Sequence, residues 1–83
     1  MKAHVYVTLK RTVLDPQGQA VAGALRRLAF DGVADVRQGK YFLLTLDEAL
    51  ASDPAKARSE VERIAREVLT NPVIEEFTIR LDS

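Results

Sequence analysis

Two Asp-Pro pairs, Asp15-Pro16 and Asp53-Pro54, mark where helices can begin in this chain. An aspartate ahead of a helix accepts a backbone N–H that has no partner within the helix. A proline at the first helical position loses nothing by lacking its own N–H. Behind the first pair, Val21, Ala24, Leu25 and Leu28 recur at i, i+3, i+4 and i+7, and behind the second run Ala57, Val61, Ile64, Ala65 and Val68. Each set is one apolar stripe of a helix. Between and around these helices the period changes to two. Val5, Val7 and Leu9 alternate with Tyr6, Thr8 and Lys10, and Phe77, Ile79 and Leu81 alternate with Thr78 and Arg80. The middle stretch VADVRQGKYFLLTLD holds two strand-like runs on either side of Gln38-Gly39, where Gly39 is expected to take the positive φ of a tight hairpin. Asp31-Gly32 supplies a turn after the first helix, and Asn71-Pro72 stops the second. The predicted order is β-α-β-β-α-β. Its expected fold is the ferredoxin-like α+β arrangement, a four-stranded antiparallel sheet with two helices on one face and strands one and three in the centre.

Eighty-three residues allow one domain, 1–83, with a small core. There is no cysteine, hence no disulfide and no thiolate metal site. A domain of this size without such staples leans on self-association or on a partner. Twelve basic residues balance twelve acidic ones, so the positive surplus of a nucleic-acid binder is missing. The first ten residues, MKAHVYVTLK, are too polar for a signal peptide and too short to span a bilayer. The expected location is the cytoplasm, with no membrane and no nucleic acid among the partners.

Two helices leave the opposite sheet face open. That face is expected to carry Tyr6, Thr8, Thr45, Arg80 and either Tyr41 or Phe42, a partly apolar candidate docking surface.

Catalytic sets are hard to assemble from the remaining residues. Glu75 and Glu76 are neighbours on a strand, so their carboxylates face opposite ways and cannot flank one bond. Glu75 shares the parity of the buried Phe77, Ile79 and Leu81, which places it at a rim with a partner still to be found, in this chain or another. His4 is the only histidine, with no nucleophile at a dyad spacing, and reads as an incidental strand residue. Gly18 and Gly23 lack the spacing of a phosphate loop; Gly18 fits a close backbone approach instead. Arg58, Glu62 and Arg66 form a solvated helix face with a Glu62–Arg66 ion pair expected. Arg37 and Lys40 bracket Gly39 and are either solubilising turn charges or contacts to a neighbouring chain.

Three motifs carry more information together than any does alone: LDPQG at 14–18, VRQGKYFLL at 36–44 and LTNPVIEEF at 69–77. In this order and at this length the chain resembles, from end to end, the PurS subunits of phosphoribosylformylglycinamidine (FGAM) synthase. The resemblance implies an accessory role in purine biosynthesis, with no catalytic residue, cofactor or metal in this chain. ATP and magnesium are then expected on a synthetase subunit, and ammonia is released by a glutaminase subunit. Such a chain self-associates as a dimer or tetramer and bridges those two partners. The resemblance carries partner or self-association roles onto Asp15, Pro16, Gly18, Arg37, Gly39, Lys40, Asn71, Pro72 and Glu75. Two positions depart from the family: Ala29, where many relatives have glycine, and Gln38, where an apolar residue is common. Regulatory modules of the ACT type share the element order and give the alternative reading, a small-molecule-binding domain. An RNA-binding use of Tyr6 and the 41–44 strand is opposed by the neutral charge.

Overall fold

The computed structural model describes residues 1–82. Strand β1 (Lys2–Leu9) leads to helix α1 (Pro16–Arg27), strand β2 (Gly39–Thr45), a short helix α2 (Glu48–Ala51), helix α3 (Pro54–Ile64) and strand β3 (Glu75–Asp82). A single π-helical turn, Ala65–Leu69, continues α3. Among the described residues the sheet has three antiparallel strands in the order β2-β1-β3, so the fold is α+β with β1 alone in the centre.

Both Asp-Pro pairs act as their chemistry dictates. Asp15 and Asp53 are N-caps whose carboxylates accept from Gly18 N and Lys56 N, with proline at the head of each helix. A third cap, Asp47, starts α2 by accepting from Leu50 N. The core lies between β1 and α3: Ala3, Val5 and Val7 meet Val61 and Ala65, all without solvent exposure. Phe42, Leu44, Phe77, Ile79 and Leu81 flank it, half-buried. Complete burial of three valines, Val5, Val7 and Val61, contributes roughly 1.5–3 kcal/mol each.

Several sequence expectations are corrected. The 33–38 stretch forms no strand, so the fourth strand and the 38–39 hairpin are missing, and β2 is an edge strand instead of a central one. Gly39 does not have positive φ; it lies in the β1–β2 ladder opposite Thr8, where a side chain would collide with the Val7 carbonyl. Helix α1 does not lie on the sheet: it makes no extensive contact with any strand, and Leu28 on its stripe is 69% exposed. Finally, Val68 is 74% exposed, and the helix ion pair is Arg63–Glu67 at 3.2 Å instead of Glu62–Arg66. The π turn accounts for Val68, because i→i+5 bonding advances the helix face and turns the last stripe position outward.

Candidate functional site

The three motifs converge at one end of the sheet, where β1 ends and β2 and β3 begin. Asp15 organises this corner. Its side chain is buried, one oxygen accepting from Gly18 N at 2.9 Å and the other from Gln38 N at 2.7 Å. One carboxylate thus caps α1 and ties it to the start of β2. Gly18 is required at the cap because a Cβ there would collide with the Val36 carbonyl oxygen and press on the Asp15 carboxylate. Gln38 reinforces the joint, its amide donating to Gln17 Oε1 at 3.1 Å. That gives Gln38 a structural use that an apolar residue could not supply.

Arg37 bends back on its own chain. One guanidinium nitrogen donates to the carbonyls of Lys10 and Val13, each at 3.0 Å, and of Leu9 at 3.4 Å. Lys10 and Val13 lie in the turn that follows β1, beyond the strand ladder, and Leu9 is the strand's last residue. Arg37 is therefore an internal clamp here. Lys40 reaches across to Glu75, Nζ to Oε2 at 3.2 Å, while the other Glu75 oxygen accepts from Asn71 N at 2.8 Å. Asn71 closes the turn around Pro72: its carbonyl accepts from Ile74 N and Glu75 N, and its side chain accepts from Val73 N. The unpartnered carboxylate of the sequence reading thus finds its partners within the chain.

Charge follows this wiring. Backbone N–H donation from Gly18, then from Gln38, holds the Asp15 carboxyl below its usual range, with the Arg37 charge adding to the effect. Asn71 N–H, then Lys40, does the same for Glu75. Both groups stay ionised at neutral pH, so neither can serve there as a general acid. Glu75 and Glu76 lie opposite Leu9 and Thr8 of β1, on opposite sheet faces. The corner encloses a cavity of about 290 Å³ lined by Asp15, Gln38, Lys40 and Glu75 among others. Among the described residues no group of three or more His, Cys, Asp or Glu is placed to hold a metal ion.

The open sheet face carries Tyr6, Thr8 and Tyr41, and the register resolves the open choice: Tyr41 faces outward and Phe42 inward. Tyr6 and Tyr41 are cross-strand partners with rings stacked at 5.3 Å. His4, read from sequence as incidental, is part of this group. It stacks on Tyr41 at 5.8 Å, with Nδ1 2.6 Å from the Tyr41 hydroxyl and Nε2 2.8 Å from Asp82 Oδ2. Parity was the available signal, since His4 shares a face with Tyr6 and Thr8. The pairing with Asp82 needed the β1–β3 register, which depends on contacts 78 residues apart.

Comparison with known proteins agrees with this geometry. Residues 2–83 match the family described as PurS, phosphoribosylformylglycinamidine (FGAM) synthase. A phosphoribosylformylglycinamidine synthase subunit PurS from Mycobacterium leprae is 48% identical over 82 residues, covering 99% of this chain and 96% of the relative. The crystal structure of PurS from Methanocaldococcus jannaschii superposes with a TM-score of 0.84 at 33% identity, covering 99% of this chain and 95% of the other. A chain in the structure of PurLQS from Thermotoga maritima gives a TM-score of 0.76 at 29% identity over 95% of this chain and 93% of that one. With near-complete matches in both sequence and structure, the chain belongs to the PurS family, a subunit of FGAM synthase in purine biosynthesis.

Proposed function

We propose that this chain bridges the synthetase and glutaminase subunits of a multi-subunit FGAM synthase in the cytoplasm and holds them so that ammonia passes between their active sites. ATP and magnesium act on the synthetase partner. The observation that carries this reading is the use made of the motif residues: Asp15, Arg37, Lys40, Asn71 and Glu75 bind one another and nearby backbone, so their groups are spent on shaping one corner of the surface. A scaffold needs no more than that. Ammonia released into water is diluted and protonated, whereas two active sites held together make its transfer effectively intramolecular, an advantage that can reach several kcal/mol. The corner with Pro16, Gly18, Gly39 and Pro72, and the open face with Tyr6, Thr8 and Tyr41, are the contact surfaces in this reading. The chain also self-associates, and the four-stranded sheet is completed on assembly.

Reconstitution of the synthetase and glutaminase with and without this chain tests the proposal. Glutamine-dependent activity is expected to collapse without it, while activity with added ammonium salt persists. Equal glutamine-dependent rates in both mixtures would refute the bridging role.

A further inference from the structure

The open face of the sheet is a grid of side chains with a histidine set into it. On β1 the outward residues are Lys2, His4, Tyr6 and Thr8; the register puts Leu43 and Arg80 beside His4, and Tyr41 and Thr78 beside Tyr6. The Tyr41 ring stacks on both His4 and Tyr6. Only 14% of the His4 side chain is exposed, whereas Tyr41 and Leu43 next to it are half-exposed.

Both ring nitrogens of His4 are committed, one to each neighbouring strand. Nε2 is 2.8 Å from Asp82 Oδ2 on β3, and Nδ1 is 2.6 Å from the Tyr41 hydroxyl on β2. A carboxylate only accepts, so Asp82 requires a hydrogen on Nε2. In the neutral ring Nδ1 is then a bare acceptor, and the Tyr41 hydroxyl must donate to it. In the protonated ring Nδ1–H donates to the Tyr41 oxygen, whose own hydrogen is released. A phenol hydrogen keeps close to the ring plane, so it has two places, toward His4 or away from it. Both protonation states fit the same heavy-atom positions.

The groups that share this face decide what else changes. They are Lys2 and Tyr6 on β1, Tyr41 on β2, and Arg80 and Asp82 on β3, with Glu76 at the far end opposite Thr8. Lys2 is turned to Thr45, its Nζ donating to that hydroxyl at 2.8 Å. Arg80 Nη2 lies 3.3 Å from the same Asp82 oxygen that meets His4, so one cation already balances that carboxylate. A proton taken up by His4 therefore adds an unbalanced positive charge as well as turning a hydroxyl.

We propose that His4 is a proton-operated switch for the open face. With His4 neutral, Tyr41 shows an acceptor outward and the imidazole carries no charge. With His4 protonated, Tyr41 shows a donor outward, and a partner that covers the face must take a net positive charge out of water. Imidazole is the side chain whose ordinary titration falls between about pH 5 and 8. The neutral state is the docking state, and acidification loosens what sits on this face. The proposal rests on the reading that the open face contacts the partner subunits, and adds what controls that contact.

Two measurements test it. In nitrogen NMR of the full chain with labelled imidazole, the neutral ring is expected to carry its hydrogen on Nε2, and Nδ1 to gain one as pH falls from about 8 to 5. Tyr41→Phe is expected to move the neutral Nδ1 signal toward that of a free imine nitrogen. A neutral ring with its hydrogen on Nδ1, a charge that stays constant over that range, or an Nδ1 signal unmoved in Tyr41→Phe overturns the switch and leaves the bridging role standing. The second measurement is the affinity of the full chain for the synthetase and glutaminase subunits, by sedimentation velocity at about pH 8 and 6. Acidification is expected to weaken wild type about tenfold more than His4→Gln, the loss expected when one covered hydrogen-bonding group meets the wrong partner. Equal weakening of both overturns the control of docking. No complex at the higher pH overturns that control and the bridging reading together.

Discussion

Ala29 shows how one residue can work against its own backbone. Its φ is 67°, the left-handed region, where an L side chain costs roughly 1–2 kcal/mol. The position requires it: Phe30 N donates to Leu25 O and Ala29 N to Arg26 O, the paired bonds that close a helix with a left-handed residue after its cap. Glycine fits that place without strain, so Ala29→Gly is expected to stabilise the chain by about 1 kcal/mol in urea unfolding. The departure noticed in the sequence is thereby a stability defect with a stated cause. Asp15 and Glu75 make the second residue-scale prediction. Both carboxyls have folded pKa values below their unfolded ones, so the stability they contribute is complete above the unfolded values. It is lost as pH falls through the folded ones. The melting temperature should therefore drop as pH is lowered from about 5 toward 3. Glu75→Gln, which keeps an acceptor for Asn71 N–H and loses the Lys40 pair, should flatten part of that decline. An unchanged acid slope would count against the wiring described.

At the level of elements, the two helices share a start signal and differ in what they cover. Asp53-Pro54 opens α3, which with the π turn that continues it sets Ala57, Val61 and Ala65 into the core with no solvent exposure. Val61→Ala removes two carbon atoms from a fully buried side chain, and is expected to destabilise by about 2–3 kcal/mol in denaturant titration. Asp15-Pro16 opens α1 equally well, yet within one chain Val21 and Leu28 of its stripe stay exposed, and Ala24 and Leu25 are only half-buried. Both helices were legible from caps and period. Which face each one buries was not, because an apolar stripe records that a helix wants cover without recording where the cover lies. The fourth strand failed for a similar reason. VADVR has strand-like alternation, but a strand exists only where an edge is offered to it, and within the chain Gln38 N–H is already taken by Asp15. The short helix α2 was missed, although Asp47, three residues before the N–H it caps, was a usable sign.

For the whole molecule, a chain whose apolar parts are divided between a small core and a projecting helix should be stabilised by its own concentration. Unfolding midpoints for wild type are expected to rise with protein concentration, because association draws on the folded state only. The sequence by itself determined the class of the fold, three of its strands, both long helices with their caps, and the family. These rest on local chemistry: which side chain accepts an orphan N–H, which period a segment has, which residues share a face. Only the tertiary structure decided that Arg37 clamps its own chain, that Lys40 is the partner of Glu75, that His4 joins Tyr41 and Asp82, and that α1 stands away from the sheet. Each of those depends on strand register and on the direction in which a helix leaves its cap. Contacts distant along the chain set both, and no local pattern encodes them.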